Sequence, residues 1–140
     1  GEYMWKDFVR VCDDLEIPLK RPTIFPRNGL LAARVATRFA DELWVADFVK
    51  SVYSENFEHD RDIAEPEVIA NCLSDLGLNA DQIIQEATSQ ESKNKLREQT
   101  EEAHQRGIFG APSFFVGDEL FWGNDRLERA IQFAMERKQI

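Results

Sequence analysis

Two short runs near the end of the chain, Ser113–Val116 and Glu119–Trp122, constrain the fold most. Both are rich in aromatic and β-branched residues and read as strands. The Gly117-Asp118 pair between them, with glycine first, suits a type II′ hairpin turn. That turn sets Phe114 opposite Phe121 and Phe115 opposite Leu120. Phe114, Phe115, Val116, Leu120, Phe121 and Trp122 are too apolar for a sheet with one wet face, and strands covered on both faces carry such runs. A two-stranded sheet is marginal alone, yet no earlier segment reads as a strand. The expectation is that further strands precede Gly1 and that the Ser113–Val116 strand has an unpaired edge, a known association hazard.

The chain before Gly107 reads as helices and the segments that connect them. Trp5, Phe8, Val9, Cys12 and Leu15 recur at helical spacing, and Pro18 is expected to end that helix. Lys20–Arg27, with Pro22 and Pro26, must be extended. Asn28 is placed to cap a helix with the stripe Leu31, Val35, Phe39 and Leu43. Val45, Phe48, Val49, Val52 and Tyr53 continue it, on the same helix or after a bend near Asp41. Pro66 fits a first helical turn, followed by Val68, Ile69, Cys72, Leu73 and Leu76, with Gly77 as a left-handed stop. Asn79 and Gln82 have capping-box spacing. A polar helix then runs from Ser89 or Gln90 to Arg106, with Leu96, Thr100 and Ala103 as its narrow seam. After the hairpin, Gly123-Asn124 opens a closing helix with Leu127, Ala130, Ile131, Ala134 and Met135 on one face. The resulting division is a helical region over 1–106 and a ββα unit over 107–140.

Charge and length exclude several functions. The chain has 140 residues and 17 Lys+Arg against 26 Asp+Glu, a net charge of −9. Nucleic acid and anionic membrane surfaces are therefore unsuitable general partners. The longest uncharged run is Gly107–Gly117, 11 residues, where about 20 are needed to cross a bilayer. Gly1–Phe8 has no apolar signal core, and a cytoplasmic location is expected. Cys12 and Cys72 form no C-x-x-C pair and read as core thiols. His59 and His104 are isolated, so no metal site is expected.

The segment Gly107-Ile108-Phe109-Gly110-Ala111-Pro112-Ser113-Phe114-Phe115-Val116 resembles the cis-proline segment of the DsbA-like branch of the thioredoxin superfamily. The continuation Gly117-Asp118-Glu119-Leu120-Phe121-Trp122-Gly123-Asn124-Asp125-Arg126-Leu127 resembles the 2-hydroxychromene-2-carboxylate isomerase family, kin of kappa-class glutathione transferases. Phe25-Pro26-Arg27-Asn28 and Arg61-Asp62-Ile63 fit the same family. The resemblance implies an α/β, DsbA-like thioredoxin fold, represented here by its helical insertion and its C-terminal ββα unit. It implies glutathione as cofactor, a small aromatic substrate and a homodimer. The family's active-site serine belongs to a first βαβ unit expected upstream of Gly1, so no catalytic residue is assigned in this chain.

The same resemblance makes the Ala111-Pro112 bond cis. Such a bond would free the N–H and C=O of Ala111 for the cysteinyl backbone of glutathione, whereas an ordinary turn proline would only start the strand. Asn124 and Asp125 are the implied γ-glutamyl contacts, and helix capping is their structural alternative. Trp122 is the aromatic residue best placed to line the pocket. Phe39, Trp44 and Phe48 are a candidate wall for an aromatic substrate, and Arg34 a candidate partner for its carboxylate. The implied chemistry is reversible addition of the glutathione thiolate, rotation about the former double bond, and departure of the thiolate. A kappa-like transferase, a DsbA-like dithiol oxidoreductase and a non-catalytic binding module are the alternatives.

Overall fold

The computed structural model describes residues 1–138, which form two compact units, Gly1–Leu96 and a second from Arg97 onward. In the first, helices α1 (Glu2–Asp14), α2 (Leu30–Arg38), α3 (Val45–Phe57), α4 (Pro66–Asp75) and α5 (Ala80–Ala87) precede the start of α6 (Gln90–Gln105). Their core is Val35 from α2, Phe48 and Val52 from α3, Ile69, Cys72 and Leu73 from α4, and Ile83 and Ala87 from α5. Burial of these apolar side chains holds the helices together, at roughly 1.5–3 kcal/mol per large residue. Burial also pushes the Cys72 thiol above its ordinary range, as expected for a thiolate removed from water. Cys12 is half-buried, and both thiols are free.

The helix ends follow local chemistry. Gly77, at φ 76°, closes α4: its N–H reaches the carbonyl of Ser74, and the N–H of Leu78 reaches that of Leu73. This is the two-bond left-handed stop that glycine favours. Asn79 accepts from the backbone N–H of Gln82 at 3.2 Å, but the Gln82 amide turns to Glu86, so only half of the capping box forms. At α2 the capping residue is Gly29, and Asn28 sits one position further out, accepting from Leu30 N–H at 2.9 Å.

Three packing expectations change. α2 stops at Arg38, and Leu43 is 99% exposed instead of continuing the stripe. The chain bends there so that Phe39 packs on Trp44 and Trp44 on Phe48, at ring separations of 5.4 and 6.1 Å. On α1 only Trp5 is buried, edge-on to Phe8 and Phe25, while Val9 and Leu15 lie in water. That helix ends at Asp14, ahead of Pro18, because Glu16 adopts a left-handed φ of 56° and Ile17 N–H bonds the Cys12 carbonyl.

The third change concerns the second unit, where β1 (Ser113–Val116) and β2 (Glu119–Trp122) pair antiparallel and α7 (Leu127–Lys138) follows a 3-10 turn at Asn124–Arg126. The register is the expected one, with Phe114 opposite Phe121, and Gly117 takes the positive φ of the turn. No residue of the hairpin is fully buried, contrary to the two-sided burial expected. α7 lays Ala130, Phe133 and Ala134 inward, with Phe133 5.6 Å from Phe121. Leu127, Ile131 and Met135 stay exposed. The inward face therefore centres on Ala130, Phe133 and Ala134, so only the two alanines of the expected stripe are covered.

A polar cluster fastens the Lys20–Arg27 segment to the loop after α3. Arg27 and Asp60 form an ion pair at 2.6 Å, with side chains only 4% and 10% exposed. Arg27 also donates to Asn56 Oδ1 at 3.1 Å and to the Arg61 carbonyl at 3.0 Å. Asp60 accepts from Thr23 N–H at 2.9 Å. That backbone bond, then the guanidinium of Arg27, holds the Asp60 carboxyl below its ordinary pKa. Phe25-Pro26, in the same segment, is a cis bond.

Candidate functional site

The residues singled out from the sequence gather at the open end of the hairpin. α6 is closed by Gly107 at φ 84°, whose N–H bonds the His104 carbonyl. The released chain runs through Phe109 and Gly110 into a cis Ala111-Pro112 bond and then β1. Two bonds fix this entry. Ser113 Oγ donates to the Gly110 carbonyl at 2.6 Å, and Gly123 N–H donates to the Pro112 carbonyl at 2.9 Å.

The second bond also fixes the phase of the ladder. Bonded and non-bonded pairs alternate in an antiparallel sheet, so Phe114–Phe121 and Val116–Glu119 exchange bonds. Ser113 and Phe115 then turn their main-chain groups to the outer edge of β1. Ala111 is exposed, and its N–H and C=O have no hydrogen-bond partner among the described residues. Ala111 and Ser113 therefore offer free main-chain donors and acceptors to an extended peptide.

Trp122, at the end of β2, is 52% exposed and packs on Phe109 with ring centroids 5.2 Å apart. Its indole lies over Gly110 so closely that a Cβ there would overlap Nε1. Gly123 follows at φ 110° and ψ 151°, a conformation essentially reserved for glycine. A Cβ at Gly123 would stand 2.6 Å from Asp125 Oδ1. Glycine at these two positions lets Trp122 lie on the Gly110 backbone and Asp125 stand close to Gly123, a role that spacing alone did not reveal; their position on either side of the hairpin was the available signal.

Asn124 and Asp125 do not cap. The residue ahead of the 3-10 turn is Gly123, and no side chain bonds the turn's N–H groups. Asn124 is exposed, and its carboxamide has no partner among the described residues. Asp125 pairs with the neighbouring Arg126 at 3.4 Å, with both side chains open to water. The site thus presents a carboxamide, a carboxylate and the free N–H groups of a helical start, which suit the ammonium and carboxylate of an α-amino acid.

At the closed end, Arg106 lies 3.7 Å over the Phe115 ring and donates to the Gly117 carbonyl at 3.1 Å. Arg137 donates to the Val116 carbonyl at 3.4 Å. The helical unit separately holds a cavity of about 300 Å³. Phe48 lines it, but Phe39 and Trp44 do not, so the expected three-residue wall is not assembled there. Among the described residues Arg34 pairs with no carboxylate, and its Nε is buried without a hydrogen-bond partner. Among the described residues no group of His, Cys, Asp and Glu is arranged to hold a metal ion, and no helix is long and apolar enough to cross a membrane.

A cis-proline hairpin followed by a helix, joined to a helical insertion, defines a class. The chain belongs to the DsbA-like thioredoxin domain family, whose sequence profile matches residues 1–132. It is 33% identical over 125 residues to 2-hydroxychromene-2-carboxylate isomerase of Sphingobium xenophagum, a match covering 89% of this chain and 63% of that one. It is 27% identical to glutathione S-transferase kappa 2 of Caenorhabditis elegans, across 96% of this chain and 66% of the relative. A solved structure of a 2-hydroxychromene-2-carboxylate isomerase superposes with a TM-score of 0.78 at 27% identity, over 97% of this chain and 66% of that one. The chain spans about two thirds of the length of these relatives. By name, these relatives are isomerases and a glutathione transferase.

Proposed function

We propose that this chain serves a glutathione-dependent isomerisation of the 2-hydroxychromene-2-carboxylate type, and that its hairpin end holds the tripeptide. The observation that carries the reading is the juxtaposition of unpaired main chain at Ala111 with the exposed side chains of Asn124 and Asp125, across the bond from Gly123 to Pro112. When bound, glutathione supplies a thiolate nucleophile. Ala111 would bind the cysteinyl backbone as a strand binds a strand. Asp125 would accept from the γ-glutamyl ammonium, and Asn124 with the helical start would receive its carboxylate. Trp122 would shield that end from water. A cytoplasmic setting and self-association through the outer edge of β1 belong to the same proposal, and the unpaired main chain of Ser113 and Phe115 supports the latter.

Titration with reduced glutathione, followed by amide NMR, tests the site. Shifts are expected at Ala111, Trp122, Asn124 and Asp125, and Asp125→Asn should weaken binding about tenfold or more, since bonds to charged groups contribute about 1.5–3 kcal/mol. Saturation with unchanged signals at these residues would sink the reading. A kappa-like transferase is the second reading, favoured by relatives such as human glutathione S-transferase kappa 1, 28% identical across 91% of this chain. Turnover of a chromene carboxylate against conjugation of a haloarene separates the two.

A further inference from the structure

We infer that the cavity of the helical unit is a binding site for a compact, neutral aromatic molecule bearing one hydrogen-bond acceptor. The inference does not rest on the glutathione reading. The cavity, about 300 Å³, lies between α2 and α3 and is walled by Ala33 and Ala36 on one side and by Phe48, Tyr53 and Phe57 on the other. That volume is at the small end of ligand pockets and fits one or two rings. The alanines leave the space, and the aromatic rings supply faces and edges for stacking. No charged side chain lines it, so a charged ligand would lose its hydration without compensation.

One polar side chain sets the specificity. Asn56 lines the cavity and is only 5% exposed. Its Oδ1 accepts from Arg27 at 3.1 Å. Arginine carries donors and no acceptor, so this bond fixes the orientation of the amide. Nδ2 donates no hydrogen bond to the described residues, and it is not among the polar atoms sealed off from solvent without a partner, so it remains accessible where Asn56 lines the cavity. Arg27 itself is held by Asp60 and the Arg61 carbonyl, so the amide cannot readily flip. The cavity therefore offers one fixed donor within an apolar wall. A carbonyl or ether oxygen on an aromatic ring is the complementary group.

Acetophenone, α-methylstyrene and benzoate share one shape and differ at the acceptor and the charge. NMR titration of the chain should show acetophenone shifting the Asn56 side-chain signals and binding about five- to tenfold tighter than α-methylstyrene, the range one net hydrogen bond supplies. Benzoate should not bind. Asn56→Asp keeps an acceptor for Arg27 and removes the donor, so the preference for acetophenone should vanish. Ala36→Leu fills the space without touching the amide and should abolish binding while the thermal midpoint does not fall. Equal affinity for acetophenone and α-methylstyrene would overturn the inference. So would tight binding of benzoate, retained binding in Ala36→Leu, or closure of the cavity by self-association without ligand.

Discussion

Arg27→Ala should lower the stability of the helical unit well beyond an ordinary surface substitution, because removing one partner of a close ion pair leaves the other without its opposite charge. The guanidinium is 4% exposed and satisfies four residues: Asp60, Asn56, Thr23 and the carbonyl of Arg61. Without it, the part-buried acceptors on Asn56 and Asp60 lose their donor. Arg27→Lys should recover little, because an ammonium is a compact charge and cannot span this forked set of acceptors. Urea denaturation followed by circular dichroism measures the loss, and a change below about 1 kcal/mol would show that the cluster is not structural. The pH dependence should shift too. The Asp60 carboxyl is held low first by Thr23 N–H and then by Arg27. A depressed carboxyl contributes stability above its unfolded pKa of about 3.9, and this is lost as pH falls through the folded value. Without Arg27 the folded value rises towards the unfolded one, so the acid-induced loss attributable to Asp60 should shrink.

Phe48→Ala should cost about 3–5 kcal/mol, the range for emptying a large aromatic site. Phe48 is fully buried, packs edge-on to Trp44, and belongs to the cluster that joins α2 through α5. Phe48→Leu should cost less than half as much, because most of the volume is kept. Leu43→Ala, a few residues away, is the control: its side chain is in water, and its change should stay within about 0.5 kcal/mol. Thermal and urea unfolding of the three variants checks the order. Similar losses for Phe48→Ala and Leu43→Ala would mean the core has been misplaced.

Much of this architecture is legible where one local interaction decides the outcome. The Gly117-Asp118 turn sets the hairpin register, and Gly77 and Asn79 mark real helix boundaries. Extrapolation fails where tertiary contacts choose between faces. The α2 stripe carries the periodicity to Leu43, but the packing of Phe39 on Trp44 breaks the helix first. Leu127, Ile131 and Met135 have helical spacing, yet the packing of Phe133 on Phe121 turns the neighbouring face inward. Arg27 and Asp60 stand 33 positions apart, and no pattern in the chain announces that they meet. The cis geometry at Pro112 came from resemblance, because spacing alone describes an ordinary turn. Asn124 and Asp125 have capping chemistry at a capping position, but Gly123 takes that position and leaves both side chains exposed.

The outward-facing main chain of β1 has one more consequence. Protons on the amides of Ser113 and Phe115 meet solvent directly, while those of Phe114 and Val116 are held across the ladder. Deuterium uptake along this strand therefore alternates residue by residue, fast and slow. Any molecule that zips onto the strand would erase that beat at the fast positions and leave the slow ones as they were.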